Sequence, residues 1–520
     1  MVPQAVERPS KTRSQFMPER RETESLSRRD AIKRLAVSTT YTAAIATSLS
    51  TNGCRKKAKA PAELIIKGGR VVTSSMDETT DLRIKDGKIV EIGKDLNTSS
   101  KSNARTLEAE GKIVLPGGVD PHVHLDKPWV DDFATGSRAA LAGGITTVGH
   151  MCFPNANESP LSAVKRTRRR AEKLAIADIF LHSVIFNPDN TRIDVIDGLT
   201  KEGFASAKFF MENSRFDNSI DRVSNMMRAA SRLGLLPVIH AEDNSTLKAA
   251  QKRLNSANQK EIKYFPESRP VEAEVIAVQN AIKVATETGC PVYFVHISSG
   301  RALDLCRSAR ESGIPIFVET RPLYLHLTAQ AHRGPEGAKY ICMPPIREQK
   351  DQDALWAGLV DGSIQTIASD HASWTKKGKL APNITINNPK GGVNNLQVML
   401  PMLMDQGVSQ GRITLQKFVE VTSTNAAKLF GLYPRKGDIA INSDADIVVW
   451  DPDRTNTVDG GNGFSKAGFS VFDGTRVTGW PSVTIRRGVV VFENEKIKAE
   501  PGTGLVLKQK QKVRTSPKLG

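Results

Sequence analysis

The stretch Gly118-Val119-Asp120-Pro121-His122-Val123-His124 decides how the fold of this chain is interpreted. It has the apolar character of a buried strand, and it ends in two histidines separated by one residue. Side chains at positions i and i+2 of a strand point to the same side, so the two imidazoles can reach one metal ion. The stretch therefore predicts a strand that carries metal ligands at its C-terminal end.

Outward from this stretch, similar apolar runs alternate with amphipathic helical segments over residues 115–428. The alternation indicates repeated βα units around a parallel sheet, with a helix expected, for example, over residues 271–287. Eight such units predict an α/β fold of the (β/α)8, or TIM, barrel type. The strands are expected near residues 118–124, 146–151, 179–186, 207–211, 237–240, 292–296, 316–319 and 365–369.

Sequence typical of β structure flanks the predicted barrel on both sides. Residues 62–114 contain short aliphatic runs around the turn signal Asp86-Gly87, and residues 429–500 contain similar runs around Arg487-Gly488. The two ends are therefore expected to join in one small β-sandwich domain. A leader over residues 1–61 and a basic tail over residues 501–520 complete the predicted organisation, and residues 508–518 of the tail are expected to be solvated.

The net charge of +17 lies mainly in the leader and in the C-terminal tail. The remainder of the chain is close to neutral, so the charge does not support a nucleic-acid partner.

The leader resembles a twin-arginine export signal. Ser27-Arg28-Arg29-Asp30 precedes a modestly apolar run over residues 35–49, which is too short and too polar for a stable membrane span. Gly53-Cys54 resembles a lipoprotein cleavage site, although Thr51 stands where an apolar residue is expected. We therefore expect an exported protein, either periplasmic or anchored to the membrane through a lipidated Cys54. The alternative is a disordered basic leader on a cytoplasmic protein.

Six polar residues each stand at the end of an apolar run, and in a (β/α)8 barrel such strand ends converge on the face that carries the active site. Imidazoles and carboxylates suit zinc, whereas an ammonium repels a cation, so a lysine fits only when neutral or carboxylated by carbon dioxide. Taken singly, each residue could be a packing or capping residue. Together they predict a site for two metal ions, made of His122, His124, Lys208, His240, His296 and Asp370.

Several stretches resemble the hydantoinases and dihydropyrimidinases of the amidohydrolase superfamily, and the likeness spans residues 62–495. They are Val114-Leu115-Pro116-Gly117-Gly118-Val119-Asp120-Pro121-His122-Val123-His124-Leu125, Ser206-Ala207-Lys208-Phe209-Phe210-Met211, Val295-His296-Ile297-Ser298-Ser299, Glu319-Thr320-Arg321-Pro322-Leu323-Tyr324-Leu325, Pro344-Pro345-Ile346-Arg347 and Leu429-Phe430-Gly431-Leu432-Tyr433-Pro434-Arg435-Lys436-Gly437.

This resemblance implies two Zn²⁺ ions per subunit, bridged by an N6-carboxylated Lys208 and by a hydroxide that attacks a cyclic amide. His122, His124 and Asp370 would complete one metal site, and His240 and His296 the other. Asp370 would be the catalytic residue that moves the proton from the hydroxide to the leaving ring nitrogen. The substrate would be a dihydropyrimidine, a hydantoin or a related ureide, and relatives of this kind are usually dimers or tetramers.

Departures from the family pattern leave the substrate open. Asn213 stands where hydantoinases place a tyrosine that donates to the oxyanion, and Met343 stands where a serine is common. The region of Gly392 looks more like allantoinases, and these three residues are the candidate substrate contacts. Asp126 stands where dihydroorotases carry an arginine, so it is expected to repel a substrate carboxylate.

Three alternatives to a hydantoinase-like activity therefore remain. The first is an allantoinase. The second is a cytosine-type deaminase with a single metal ion, which would not need Lys208 as a ligand. The third is a non-catalytic scaffold like the dihydropyrimidinase-related proteins, which would retain no metal.

Overall fold

The computed structural model describes residues 63–97, 104–188, 190–212, 220–510, 512 and 516–519. The predicted leader with Cys54, and the candidate substrate contact Asn213, lie outside these ranges. Within them, every helix is too short or too polar to cross a membrane.

Strands and helices alternate along the central part of the chain, and strands dominate at its two ends. The strands are β1 (Glu63–Val72), β2 (Asp77–Lys85), β3 (Lys88–Gly93), β4 (Arg105–Glu108), β5 (Ile113–Pro116), β6 (Gly118–His124), β7 (Ile145–Cys152), β8 (Asp178–Val184), β9 (Ser206–Phe210), β10 (Leu236–His240), β11 (Val292–Phe294), β12 (Ile316–Thr320), β13 (Thr366–Ile367), β14 (His371–Ala372), β15 (Ile447–Thr457), β16 (Arg476–Arg486), β17 (Val489–Glu493) and β18 (Lys496–Ile497).

The helices fall mainly between the barrel strands, as expected for βα units. They are α1 (Phe133–Ala142), α2 (Pro160–Leu174), α3 (Asp194–Lys201), α4 (Ile220–Leu233), α5 (Asn244–Ser256), α6 (Phe265–Ser268), α7 (Val271–Thr288), α8 (Gly300–Glu311), α9 (Pro322–His326), α10 (Gln349–Val360), α11 (Lys376–Lys379), α12 (Met399–Leu403), α13 (Leu415–Val419) and α14 (Asn425–Leu429).

The barrel strands β6 to β13 follow one another in parallel around a closed sheet, which confirms the predicted (β/α)8 barrel. The eighth strand differs from the prediction because it is broken into two short pieces. β13 pairs with β12, whereas β14 pairs with β6 through His371 and Ala372. Asp370 lies in the break with φ of 44°, a left-handed conformation that an extended strand does not contain. The barrel therefore closes at the residue that the sequence marks as catalytic.

A hydrogen-bonded carboxylate holds the broken strand against β6. Asp120 accepts the backbone N–H of Ser369 at 3.2 Å and also accepts its hydroxyl, and it accepts the backbone N–H of His122 at 3.1 Å. Burial raises the pKa of Asp120 to about 6.

The β domain is built from both ends of the described chain, as predicted. Its strands follow the order β18-β17-β16-β15-β5-β1-β2-β3, with β4 beside β1. Successive residues of β15 point to opposite faces, so Ile447 and Val449 pack in the core of the β domain, whereas Val448 and Trp450 pack against the barrel. The sheet therefore carries the barrel on one of its faces.

A buried ion-pair network joins the β domain to the base of the barrel. Nζ of Lys436 lies 2.7 Å from a carboxylate oxygen of Asp178 on β8 and 2.7 Å from one of Asp446 beside β15. Burial opposes the charge of Lys436, but Asp178, Asp446 and Asp444 outweigh it and raise its pKa well above the ordinary value. The same network lowers the pKa of Asp178 to about 2.

The predicted basic tail begins with residues that pack on the barrel. Leu505 and Leu507 exchange backbone hydrogen bonds of 2.8 and 2.7 Å with Ile179 of β8, and Gln509 contacts β9. Leu507 is buried in the barrel core, whereas Lys508 and Lys510 remain exposed. The apolar run Leu505-Val506-Leu507 therefore pairs with the barrel, whereas Lys508 and Lys510, which follow it, face water.

Candidate metal centre

Three of the predicted ligands meet in one tight group at the C-terminal end of the barrel. Nε2 of His122 and Nε2 of His124 lie 3.2 and 3.0 Å from Oδ1 of Asp370, and 3.2 Å from each other. All three side chains are buried. They form one of the two clusters in the described chain that have the spacing for a cation.

Lys208 lies in the middle of β9 (Ser206–Phe210), and its side chain is 1% exposed. Its Nζ has no hydrogen-bond partner among the described residues. Burial lowers the pKa of Lys208 to about 8, while the charges of Asp370, Glu319 and Glu212 partly oppose this shift. A buried amine of this kind is neutral more often than a surface lysine, and only a neutral amine adds to carbon dioxide.

The remaining two predicted ligands lie beside each other. The ring centroids of His240 and His296 are 4.6 Å apart, and that of His296 is 5.5 Å from that of His122. His296 has a φ of 42°, and Asp370 on the same face of the barrel also has a positive φ. Such left-handed backbone conformations often occur at functional sites. The structure thus brings all six predicted ligands to one end of the barrel.

His240 also has acidic neighbours that the sequence interpretation missed. Its Nε2 lies 2.7 Å from Glu242 and 3.5 Å from Glu212, which makes the second candidate cation cluster. Arg269 forms ion pairs with both glutamates. The signal in the sequence was the spacing of Glu242, two residues beyond His240.

The comparisons with known proteins agree with this geometry. A model of the amidohydrolase family matches residues 113–491. The D-hydantoinase of Geobacillus stearothermophilus is 35% identical over 86% of this chain and 96% of its own length, and the D-hydantoinase of Ralstonia pickettii is 34% identical over 86% and 99%. This chain belongs to the amidohydrolase family.

Solved structures support the same assignment. A dihydropyrimidinase from Brevibacillus agri superposes with a TM-score of 0.82 and 32% identity, covering 87% of this amidohydrolase and all of the other chain. The D-hydantoinase of a Thermus species has a TM-score of 0.83 and 31% identity. The resemblance stated from the sequence motifs is therefore confirmed.

A buried carboxyl group orients His122, the first of the predicted ligands of this amidohydrolase. Oε1 of Glu319 lies 2.9 Å from Nδ1 of His122 and accepts the backbone N–H of His296 at 3.0 Å, while Oε2 accepts the hydroxyl of Tyr293 at 2.8 Å. Burial raises the pKa of Glu319 to about 8. Glu319 lies next to the last residue of β12, and its position at the end of an apolar run was the signal that could have found it.

Arg321 is a second missed residue of the centre. It is fully buried, and its Nη1 lies 3.0 Å from Oδ2 of Asp370, opposite the oxygen that faces the histidines. Burial raises the pKa of Asp370, but Arg321 and the two histidines outweigh this effect and hold the pKa well below its usual range. Asp370 is therefore ionised.

The donor set fits the divalent metal that the family implies. Because Nδ1 of His122 faces Glu319, its Nε2 is left to offer a lone pair toward Asp370 and His124. The Nε2 atoms of the two histidines and the carboxylate oxygen of Asp370 lie about 3 Å from one another. A metal cation bound by all three atoms explains this spacing better than hydrogen bonds among them do. The orphaned Nζ of Lys208 fits the same conclusion.

Two of the candidate substrate contacts lie near the centre. Gly392 has φ of 109°, and a Cβ there would come within 2.5 Å of Ala372, so this position requires glycine. Its N–H donates to the carbonyl of Ile341, two residues before Met343. Whether Met343 and Gly392 contact substrate stays a prediction.

The structure gives Asp126 a cationic partner, which bears on its expected repulsion of a substrate carboxylate. Its carboxylate forms two hydrogen bonds of 2.7 Å with Arg170 of α2. Arg170 compensates its charge, so the predicted repulsion of a carboxylate substrate loses its basis.

Aromatic rings surround one side of the centre. The centroid of the His124 ring is 4.8 Å from that of Trp129 and 5.8 Å from that of Phe153, and Phe210 lies 5.7 Å from His240. Phe186 contacts Phe210 and lines a cavity of about 910 Å³ with residues 154–161. The centre therefore has aromatic rings on this side, whereas the cavity beyond Phe186 is lined mainly by polar residues such as Asn155 and Asn187.

Proposed function

We propose that this amidohydrolase hydrolyses a C–N bond of a cyclic amide ring, in a hydantoin, a dihydropyrimidine or a related ureide. The observation that carries the proposal is the convergence of His122, His124 and Asp370 beside the unpartnered Lys208. The relatives named D-hydantoinase and dihydropyrimidinase, which match over nearly their whole length, support the reaction class.

We assign the metal as zinc, with two ions per subunit. His122, His124, Asp370 and N6-carboxylated Lys208 would hold one ion, and Lys208, His240 and His296 the other. When bound, the ions lower the pKa of the attacking water and polarise the scissile carbonyl.

Asp370 moves the proton in this scheme. It accepts a proton from the attacking water and passes it to the leaving ring nitrogen, while the water oxygen bonds to the carbonyl carbon and the C–N bond breaks. Arg321 holds Oδ2 of Asp370, so Oδ1 stays turned toward the histidines. With a hydantoin the product is an N-carbamoyl amino acid.

The aromatic side of the centre favours rings with an apolar substituent. Trp129, Phe153 and Phe210 can pack against an alkyl or aryl group, whereas the faces of these rings form no hydrogen bonds of ordinary strength with the ureido group of allantoin. We therefore rank an aryl-substituted hydantoin above dihydrouracil, and dihydrouracil above allantoin.

The proposal is tested by zinc per chain and by ring opening of 5-phenylhydantoin, dihydrouracil and allantoin. We expect about two zinc ions in the wild type, and loss of metal and activity in Lys208→Ala. Lys283→Ala, which changes an exposed lysine of α7, is the matched control and should retain both. One zinc with deamination of cytosine would instead indicate the mononuclear deaminase, and a metal-free inert protein would indicate the scaffold.

Export, lipidation of Cys54 and assembly into dimers or tetramers are also proposed, on the leader sequence and on the family resemblance. Mass spectrometry of the protein from a membrane fraction tests the first two. A lipidated N-terminal cysteine supports anchoring, and an intact leader in the soluble fraction contradicts it.

A further inference from the structure

Lys379 is a buried lysine that the proposed reaction does not use. It ends the short helix α11, and its side chain is 0% exposed. Its Nζ donates to the backbone carbonyls of Ile341 at 2.9 Å, Lys390 at 2.8 Å and Gly392 at 2.9 Å. An ammonium has three N–H donors, so these three carbonyls use all of them. We refer to this arrangement as the Lys379 clamp.

The clamp contains no carboxylate. Lys379 forms no ion pair in the part of the chain that the structure describes, in contrast to Lys436. Burial of an ammonium without a counter-ion is unfavourable, and an apolar side chain of the same length would fill the space without that cost. The lysine is therefore explained by what its three hydrogen bonds hold together.

The clamp joins two chain segments that meet at the metal centre. The segment 390–393 continues the barrel seam, since the carbonyl of Val393 accepts the N–H of Ala372, two residues beyond Asp370. Trp374 donates its indole N–H to Gly391 at 2.8 Å. The other segment contains Ile341, which accepts the N–H of Gly392 at 3.1 Å.

Met343 completes this path of contacts. A Cβ on Gly391 would lie 3.1 Å from the terminal methyl group of Met343, so the two segments touch where both candidate substrate contacts lie. Through the clamp, the position of Met343 and that of Gly392 depend on one side chain.

We propose that Lys379 is a positioning residue that sets the shape of the substrate pocket by fixing segment 341–343 against segment 390–392. It acts through backbone carbonyls and does not itself touch the substrate. The inference rests on the proposed function, because it takes the rim of the metal centre as the place where a ring binds.

Lys379→Met tests the proposal, because it keeps the length and most of the volume of the side chain but removes the three donors. We expect KM to rise about 10- to 100-fold, as for displaced positioning groups, with kcat changed less than about threefold. Zinc per chain should not change. Hydrogen exchange at the Gly392 amide should become at least about tenfold faster, because its acceptor Ile341 is no longer held.

Two further variants sharpen this test. Lys377→Met changes an exposed lysine of the same helix and should leave KM and exchange unchanged. Lys379→Gln keeps two donors and should fall between wild type and Lys379→Met. If Lys379→Met does not fold, the comparison is made between Lys379→Gln and Lys377→Met.

Unchanged exchange at Gly392 together with unchanged KM would overturn the proposal. Loss of zinc in parallel with a fall in kcat would also overturn it, since that result indicates a general structural role. A wild type that opens none of the rings contradicts the proposed function instead, and the exchange rates then still decide whether Lys379 fixes the two segments.

Discussion

Lysines are buried at both ends of the barrel, but their surroundings differ. At the base, Lys436 contacts the carboxylates of Asp178 and Asp446 at 2.7 Å, and its pKa is raised. At the opposite end, Nζ of Lys208 has no hydrogen-bond partner among the described residues, and its pKa is lowered to about 8. The fold can thus satisfy a buried ammonium fully, and it does not do so for Lys208.

The difference separates a structural lysine from a chemical one. A buried polar group is normally paired, so an orphaned one calls for a specific explanation. Carboxylation would turn Lys208 into an anion that can lie between cations, whereas Lys436 is held as a cation by three acidic neighbours.

The largest expected effect comes from Lys208→Ala. Activity should fall by more than about 100-fold, because several kcal/mol of metal-based stabilisation are lost. A short carboxylic acid such as propionate, which can occupy the vacated space, should restore part of the zinc and of the activity. Zinc analysis and ring-opening rates with and without propionate provide the measurement, and full activity in the variant without propionate would contradict the role of Lys208.

Lys436→Met should act on stability instead. Removal of one partner from a buried ion pair costs about 3–5 kcal/mol, because the carboxylates of Asp178 and Asp446 remain buried without their cation. Urea unfolding of the metal-loaded protein measures the loss. Zinc per chain and kcat of the folded variant should match the wild type, and a parallel loss of zinc would remove the distinction between the two lysines.

Glu319→Gln should give a smaller effect, limited to the metal centre. It retains the shape of the side chain but weakens the contact that orients His122, so zinc affinity should fall about 10- to 100-fold. Competition with a chelator measures this change, and His332→Gln, a buried histidine away from the centre, serves as the control. Equal zinc affinity in Glu319→Gln and wild type would show that Glu319 does not orient His122.

The smallest expected effect is the pH dependence of the stability that the ion pair between Lys436 and Asp178 contributes. The pKa of Lys436 is raised, so its contribution is complete below its unfolded value near pH 10.4 and is lost only above it. The pKa of Asp178 is lowered to about 2, so its contribution is complete above about pH 3.9 and is lost as pH falls toward 2. The stability difference between wild type and Lys436→Met should therefore be constant from about pH 5 to 9 and shrink in acid, as measured by urea unfolding at each pH.

The repeating parts of this molecule were predictable from the sequence. Barrel strands are continuous apolar runs, so seven of them appear close to their expected positions. The predicted ligands were found because they interrupt or follow such runs. The break at Asp370 was not predictable, since it depends on a left-handed residue and on the contact of Ser369 with Asp120, which is distant in the sequence.

Charged residues that act through other residues were also missed. Arginine and lysine usually lie on the surface, so nothing in the sequence indicated that Arg321 and Lys379 lie in the interior. Only the fold shows that Arg321 faces Asp370 and that Lys379 faces three backbone carbonyls. In the same way, the pairing of Leu505 and Leu507 with Ile179 was not predictable, because the strand that they contact lies far back in the chain.

The seam of the barrel has a consequence for how the protein is made. Asp120 and Ser369, which hold the seam, are 249 residues apart, so the ribosome has synthesised nearly all of the barrel before the two can meet. Because His122 and Asp370 flank the same seam, a nascent or truncated chain that ends before residue 366 lacks the metal site as well as the closed sheet. Metal retention therefore reports that synthesis has passed Asp370 and that the barrel has closed.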